Sequence, residues 1–190
     1  MIAGVGVCDK GVFSSRSGKK QSPGYITWKH MIERCYDPKY LAQYPTYKGC
    51  EVSEDFKSFQ KFMAWATTQK GYGDSKVALD KDLLFKGNKM YSGETCVFIP
   101  REINVLLTKA NAVRGGCPIG VSVNRGKYMA TLCYFGKNKN LGRFETPSEA
   151  FNVYKAAKEA HIKILAEKYK EVLDSRAYVA LQSYLVNETD

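Results

Sequence analysis

The chain has 190 residues, a formal net charge of +10 and a hydrophobic share of 44%, enough apolar material for one large domain or two small ones. No run of about 18 apolar residues occurs, which excludes a membrane-spanning helix, and the apolar start Met1 to Cys8 is short and lacks the basic segment of a signal peptide. The excess of basic over acidic side chains points to a polyanion or an acidic partner.

In chain order, residues 2–7 read as a short strand. A basic segment rich in Ser and Gly follows from Gly11 to Ser22, with Arg16, Lys19 and Lys20. Two readings stay open for it, a flexible surface loop or an arm that contacts phosphates. Ser22-Pro23 marks a helix start, and Trp28, Met31, Ile32 and Cys35 recur at i, i+3, i+4 and i+7, an amphipathic helix that stops near Asp37-Pro38. His30 falls off its apolar face. Tyr40 to Cys50 is aromatic and irregular, suited either to packing on a core or to stacking on bases. The next helix begins at Ser53, with Glu54 and Asp55 in its first turn and a buried stripe of Phe56, Phe59, Met63 and Ala66 flanked by Trp65. It breaks at Gln69 to Gly73.

Val77 to Asp82 reads as a strand with an acidic end, Phe85 to Gly93 as a loop, Cys96 to Ile99 as a second strand, and Pro100 opens a helix carrying Ile103, Asn104, Leu106 and Leu107. Beyond Gly115 three strands fit, Ile119–Asn124, Tyr128–Tyr134 and Asn138–Phe144, separated by the turns Arg125-Gly126-Lys127 and Gly136-Lys137-Asn138. The middle strand alternates Tyr128, Ala130, Leu132 and Tyr134 with Met129, Thr131 and Cys133, so one set can pack on a helix and the other face outward. That helix starts with Thr146 as N-cap, Pro147 at its first position and Glu149 closing a capping box, and places Ala150, Tyr154, Ala157 and Ile164 on one face. His161 is expected as a satisfied histidine at the core edge. Asp174 caps a last helix in which Tyr178, Leu181 and Leu185 pack, and the polar tail Asn187 to Asp190 is expected to fray. From Lys109 to Arg143 there are seven Lys or Arg and no Asp or Glu, so no ion pair can close inside that segment. It is either a sheet that lies in a DNA groove or a small α+β domain with a solvated basic face.

Two resemblances sharpen this pattern. Gly120-Val121, Gly126-Lys127-Tyr128, Leu141-Gly142-x-Phe144 and Thr146-x-x-Glu149-Ala150, with Tyr154, Ala156 and Ala157, resemble the AP2-type DNA-binding domain. The resemblance implies that the outward face of the sheet enters the major groove. By position this face holds Ser122, Asn124, Arg125, Thr131, Asn138 and Asn140, and Lys127 and Arg143 complete the expected DNA-binding set. Plant members carry several Arg and Trp there, whereas this chain has mostly small polar residues.

Upstream, strand, loop, strand, helix is the ββα-metal order of HNH nucleases. Trp28-x-x-Met31-x-x-Arg34-Cys35-Tyr36, Pro45-Thr46-Tyr47-x-Gly49-Cys50, Leu79-Asp80-Lys81-Asp82, Gly87-Asn88-Lys89-x-Tyr91-Ser92, Thr95-Cys96-x-Phe98 and Ile103-Asn104 resemble a phage and prophage family of HNH-like homing endonucleases with a C-terminal AP2 domain. The resemblance implies catalytic roles for Asp80, Lys81 and Asn88 and a Mg²⁺ or Mn²⁺ ion held by Asp80 and Asn104; the residues themselves also allow Asp80 and Asp82 to pair with nearby lysines and Asn88 to make a turn. Lys81 stands where the family pattern has the His that activates water, and an ammonium cannot accept a proton.

The six cysteines form no Cys-x-x-Cys pair, which points to reduced thiols and a cytoplasmic protein. Cys35, Cys50 and Cys96 lack an evident fourth ligand, and Ser53 stands where a Cys50-x-x-Cys pair would end, so structural zinc is not expected. The expected fold is α+β. Residues 1–109 form an HNH-like ββα module with flanking helices, and residues 110–190 an AP2-like three-stranded antiparallel sheet on a helix with a C-terminal extension. The expected function is sequence-specific binding of double-stranded DNA coupled to metal-dependent phosphodiester cleavage. A catalytically inactive DNA-binding regulator derived from such a nuclease, and a basic protein that binds a host protein, stay open, as does a homodimer.

Overall fold

The computed structural model describes residues 1–108 and 116–190. Lys109, Arg114 and the expected division between residues 109 and 110 lie outside them. The chain is α+β and forms two compact units, Met1–Pro100 with Val172–Ala177, and Arg101–Glu171 with Tyr178–Asp190. No helix among the described residues is long and apolar enough to cross a membrane.

In the first unit, β1 (Arg16–Ser17) and β2 (Lys20–Gln21) form an antiparallel hairpin. The segment left open between a flexible loop and a phosphate-contacting arm thus holds a short hairpin. Gly18 takes a left-handed φ of 61° at its turn, the Gln60 side chain bonds both the N–H and the carbonyl of Phe13, and the Ser22 hydroxyl donates to the Ser14 carbonyl. Residues 2–7 are not a strand. Ala3 and Gly4 are both left-handed, and the Ile2 N–H turns back to the Gly6 carbonyl, so the segment closes on itself.

α1 (Pro23–Tyr36) has the expected Ser22 cap and buries Trp28, Met31, Ile32 and Cys35. The Trp28 indole donates to the Phe56 carbonyl at 2.8 Å, which satisfies the one polar group of the largest core side chain. Asp37 ends α1 and starts α2 (Pro38–Gln43), its carboxylate accepting from the N–H groups of Lys39 and Tyr40. The aromatic stretch expected to be irregular thus holds a short helix and a 3-10 turn, Pro45–Tyr47. Neither has a buried residue, so no apolar period announced them. The cap Asp37-Pro38 was the available signal.

β3 (Glu51–Val52) leads into α3 (Glu54–Lys57) and α4 (Phe59–Ala66), where one continuous helix was expected. Ser58 breaks it by taking an extended backbone. Its hydroxyl donates to Asp9 at 2.7 Å and accepts from the Lys61 N–H, capping α4. Asp9 lies 49 positions away, and this contact has no local sequence signature. Phe56, Phe59, Phe62, Met63 and Ala66 complete the core around Trp28.

β4 (Val77–Asp80) pairs antiparallel with β6 (Val97–Pro100), and β5 (Met90–Tyr91), inside the expected loop, pairs parallel with β3. α5 (Arg101–Leu107) follows β6 and counts with the second unit.

The second unit holds β7 (Val121–Asn124), β8 (Lys127–Tyr134) and β9 (Lys137–Phe144), antiparallel in the order β7-β8-β9, and the long α6 (Pro147–Lys168). Arg125-Gly126 and Phe135-Gly136 are all left-handed, which matches the right-handed twist of hairpin strands. The second turn therefore sits one residue earlier than expected. α6 opens on the Thr146–Glu149 capping box. Its buried face is Ala150, Phe151, Tyr154, Lys158, His161, Ile162, Leu165 and Ala166, while Ile164, expected inside, is 46% exposed. Gly120 is left-handed (φ 74°) and lies against the ring of Tyr154 so closely that a Cβ would sit 2.1 Å from it.

α7 (Ser175–Gln182) buries Ala177 and Leu181, whereas Leu185 is exposed and Val186 takes the inside position. The tail does not fray. The Glu188 carbonyl accepts from the Ile119 N–H, the Asp190 carboxylate accepts from the Asn187 N–H, and Asp190 is buried.

His161 differs from the satisfied histidine expected. It is 3% exposed, packs on the rings of Tyr134 and Phe135, and neither ring nitrogen has a hydrogen-bond partner. Burial holds its pKa below 6.5, opposed by Glu102 and reinforced by Lys168. Above the unfolded value of about 6.5 both states hold a neutral ring. Below it the unfolded chain takes up a proton that the folded chain resists, so stability falls as pH drops from that value toward the folded pKa. Between about pH 7.5 and about pH 5.5, thermal unfolding is expected to show a larger loss of Tm for the natural chain than for His161→Phe. Equal losses would refute the linkage.

Candidate nucleic-acid interface

The register of the three-stranded sheet determines which side chains share a face. Ser122 and Arg143 both stand opposite Met129, Asn124 opposite Lys127, Thr131 opposite Asn140, and Cys133 opposite Asn138. Opposed residues in an antiparallel pair point to one side, and neighbours along a strand alternate. Ala130 and Leu132, on the other side, are buried where α6 packs. Ser122, Asn124, Lys127, Thr131, Asn138, Asn140 and Arg143 therefore share the face away from α6, with Arg125 in the turn at its border. All eight residues of the expected DNA-binding set are brought together. Asn124 and Thr131 are half-buried and the other six are exposed.

Met129 and Cys133 lie on the same face and were not in that set, although the period-two alternation of β8 already pointed them outward. The three strands of this face carry no carboxylate. Glu145, just past the acid-free segment, reaches back to pair with Lys127, so that cation is partly neutralised. Between Ala130/Gly142 and Thr131/Asn140 the register leaves Leu141 unopposed, a β-bulge. The Asn140 carboxamide oxygen accepts from the Gly142 N–H at 2.9 Å across this bulge, and its nitrogen meets the Met129 sulfur at 3.5 Å. Asn140 thus shapes the surface as well as lining it. The hydroxyl oxygen of Thr131 is buried without a partner.

Asp80, Lys81 and Asn88 also come together, in the turn that follows β4. One oxygen of Asp80 accepts from the N–H groups of Asp82 (2.9 Å) and Leu83 (2.7 Å). Burial pushes this carboxyl above its ordinary range, and the bond from Leu83 opposes the shift. Lys81 is 6% exposed, and its ammonium donates to the Asp82 carboxylate at 2.6 Å and the Asn88 carbonyl at 2.7 Å. The Asn88 carboxamide donates to the carbonyls of Lys81 and Met90 and accepts from the Met90 N–H. Both Lys81 contacts use it as a donor, whereas a general base must accept.

Asn104, the other expected metal ligand, lies on α5 in the second unit, where its backbone carbonyl accepts from the Thr108 hydroxyl. Around β4 the oxygen donors fit a divalent cation poorly. One Asp80 oxygen already holds two N–H groups, and Asp82 holds an ammonium. Among the described residues no three His, Cys, Asp or Glu side chains gather as a metal-binding cluster. Cys35, Cys50 and Cys96 are all buried. Burial pushes the thiols of Cys35 and Cys96 up to about 12 and raises that of Cys50.

Arg34 enters the sequence pattern only as part of a motif, yet it is the centre of a cluster in the first unit. It is half-buried, lies 5.8 Å from the Tyr47 ring centroid, and has the Tyr40 and Tyr91 hydroxyls close enough to act on its charge. Burial works against its charge, but the phenols of Tyr91, Tyr47 and Tyr40 hold its pKa above the ordinary value. The available signal was a basic residue in the last turn of α1 followed by three tyrosines within the next stretch.

Comparison of the chain with protein-family models, with curated proteins and with solved structures returned no match.

Proposed function

We propose that the chain binds double-stranded DNA through the face of β7–β9 turned away from α6. The observation that carries this reading is the common face formed by Arg125, Lys127, Arg143 and the amides of Asn124, Asn138 and Asn140, on strands that hold no carboxylate, with Glu145 at the edge paired to Lys127. Guanidinium and ammonium groups neutralise phosphates, and carboxamides and hydroxyls match base-edge donors and acceptors. The resemblance to AP2-type domains, which present the same kind of sheet to the major groove, supports the assignment. Within this reading residues 110–190 are AP2-like, residues 1–109 are HNH-like, and the protein acts in the cytoplasm of a host cell.

Cleavage is the second reading, and it rests on the resemblance of residues 79–104 to HNH-like homing endonucleases. In that reading the resemblance would assign Asp80 and Asn104 as ligands of Mg²⁺ or Mn²⁺ and would have Lys81 stabilise phosphate charge. The donor role of Lys81 and the engaged carboxylates favour binding without cleavage.

The deciding experiment is selection from random DNA with and without Mg²⁺ or Mn²⁺, sequencing bound and cut fractions. The expected result is a defined motif with intact ends, unchanged by Asp80→Ala. Cut ends that disappear in Asp80→Ala would establish the nuclease. No motif in any condition would reject DNA as the ligand and favour a host protein partner.

A further inference from the structure

Arg34 carries a charge that the first unit does not balance. Among the described residues no carboxylate pairs with it. Its Nε is buried and has no hydrogen-bond acceptor. Its neighbours Tyr40, Tyr47 and Tyr91 offer phenol oxygens and ring faces, which solvate a cation but bring no net charge. The end of α1 contributes only a partial negative charge.

A second cation faces the same rings. The Lys81 ammonium stands 5.8 Å from the Tyr91 ring centroid, and Arg34 and Lys81 both act on the Tyr47 phenol. Asp82 pairs with Lys81, and its charge also reaches the Tyr47 phenol. Sequestered charge without a counter-ion is costly, and an unpaired buried donor adds to that cost. α2 and the turn Pro45–Tyr47, which carry Tyr40 and Tyr47, bury no side chain of their own. Lys89 holds that turn by donating to the carbonyls of Thr46 and Lys48.

We propose that Arg34, with the Tyr40 and Tyr47 hydroxyls and Lys81 beside it, is a phosphate-binding pocket in the first unit, separate from the sheet face. The planar guanidinium fork matches two oxygens of a tetrahedral phosphate, phenol hydroxyls donate to a third, and the anion supplies the missing charge. The shared chemistry is a phosphate oxyanion, from a nucleic-acid phosphodiester or from free phosphate. The pocket rests on the DNA-binding reading only for the diester source.

The test is ¹H–¹⁵N NMR of the Arg34 Nε–H in the full chain, assigned by its loss in Arg34→Lys. The chain is titrated with dimethyl phosphate, with inorganic phosphate, and with chloride at matched ionic strength. A saturable downfield shift with a phosphate probe and none with chloride is expected. Arg34→Lys, which keeps the charge and loses the fork, is expected to bind the effective probe about tenfold more weakly. Saturation by dimethyl phosphate supports the pocket and assigns it to a nucleic-acid backbone. Saturation by inorganic phosphate alone supports it and assigns free phosphate. An Nε–H that responds to neither probe beyond the chloride control overturns the proposal, and since the natural chain is the sample, misfolding of a variant cannot mimic that result. The DNA-binding reading fails separately. If duplex DNA is not bound but Arg34 still responds, the pocket stands. If DNA is bound and Arg34 is silent, only the pocket falls.

Discussion

Gly120→Ala is expected to unfold the second unit at temperatures where the natural chain is folded. Gly120 sits at φ 74°, and an added Cβ would meet the Tyr154 ring at 2.1 Å. The left-handed backbone alone costs a residue with a Cβ about 1–2 kcal/mol. Forcing a methyl into a filled space adds about 1–3 kcal/mol, and the ring cannot retreat because Tyr154 is buried on α6. A total of roughly 3 kcal/mol corresponds to a fall in Tm on the order of 15 °C for a unit of this size. Gly126→Ala is the control. It has a similar φ of 76° but nothing within 4 Å, so it carries the backbone cost alone. Equal, small losses in the two variants, measured by calorimetry, would show that Gly120 does not press on Tyr154.

Arg125→Glu combined with Arg143→Glu is expected to abolish specific DNA binding at moderate salt. Both guanidinium groups border the sheet face and neither has an ion-pair partner among the described residues. Two charge-assisted hydrogen bonds of about 1.5 kcal/mol each amount to roughly a hundredfold in affinity, and reversal of sign adds repulsion from the phosphates. The slope of log affinity against log salt is expected to flatten by about 0.9 for each phosphate that is no longer neutralised. Lys127→Glu is a poorer choice, since it sets a second carboxylate beside Glu145 and perturbs the turn itself. Unchanged affinity and slope in a folded double variant, measured by fluorescence anisotropy across a salt series, would remove the sheet face from consideration.

The parts of the site differ in how far local pattern reached. The shared face of β7–β9 was legible because strand alternation is a local property with a fixed period, and Gly126 and Gly136 marked where each hairpin turns. The bulge at Leu141 did not disturb it, since the burial of Ala130 and Leu132 still alternates across the irregular step. The turn after β4 was legible only as a set of residue types. Asp80, Lys81 and Asn88 could be read as chemistry or as an ion pair and a turn, and the hydrogen bonds show each of them serving the backbone. Which role an Asp or Asn takes depends on the partners within reach, and residue type does not encode those partners.

By itself the sequence determined the α+β class, the capped starts of α1 and α6, the three strands of the second unit and the common outward face of its polar side chains. These follow from short-range rules, capping, proline position and apolar period, which act within a few residues. Only the tertiary structure decided the break at Ser58, the pairing of β3 with β5, the pinned tail, the close approach of Gly120 to Tyr154 and the unpaired charge of Arg34. Each of these depends on groups distant in the chain, and the free energy that selects them comes from core packing and from satisfying buried polar atoms.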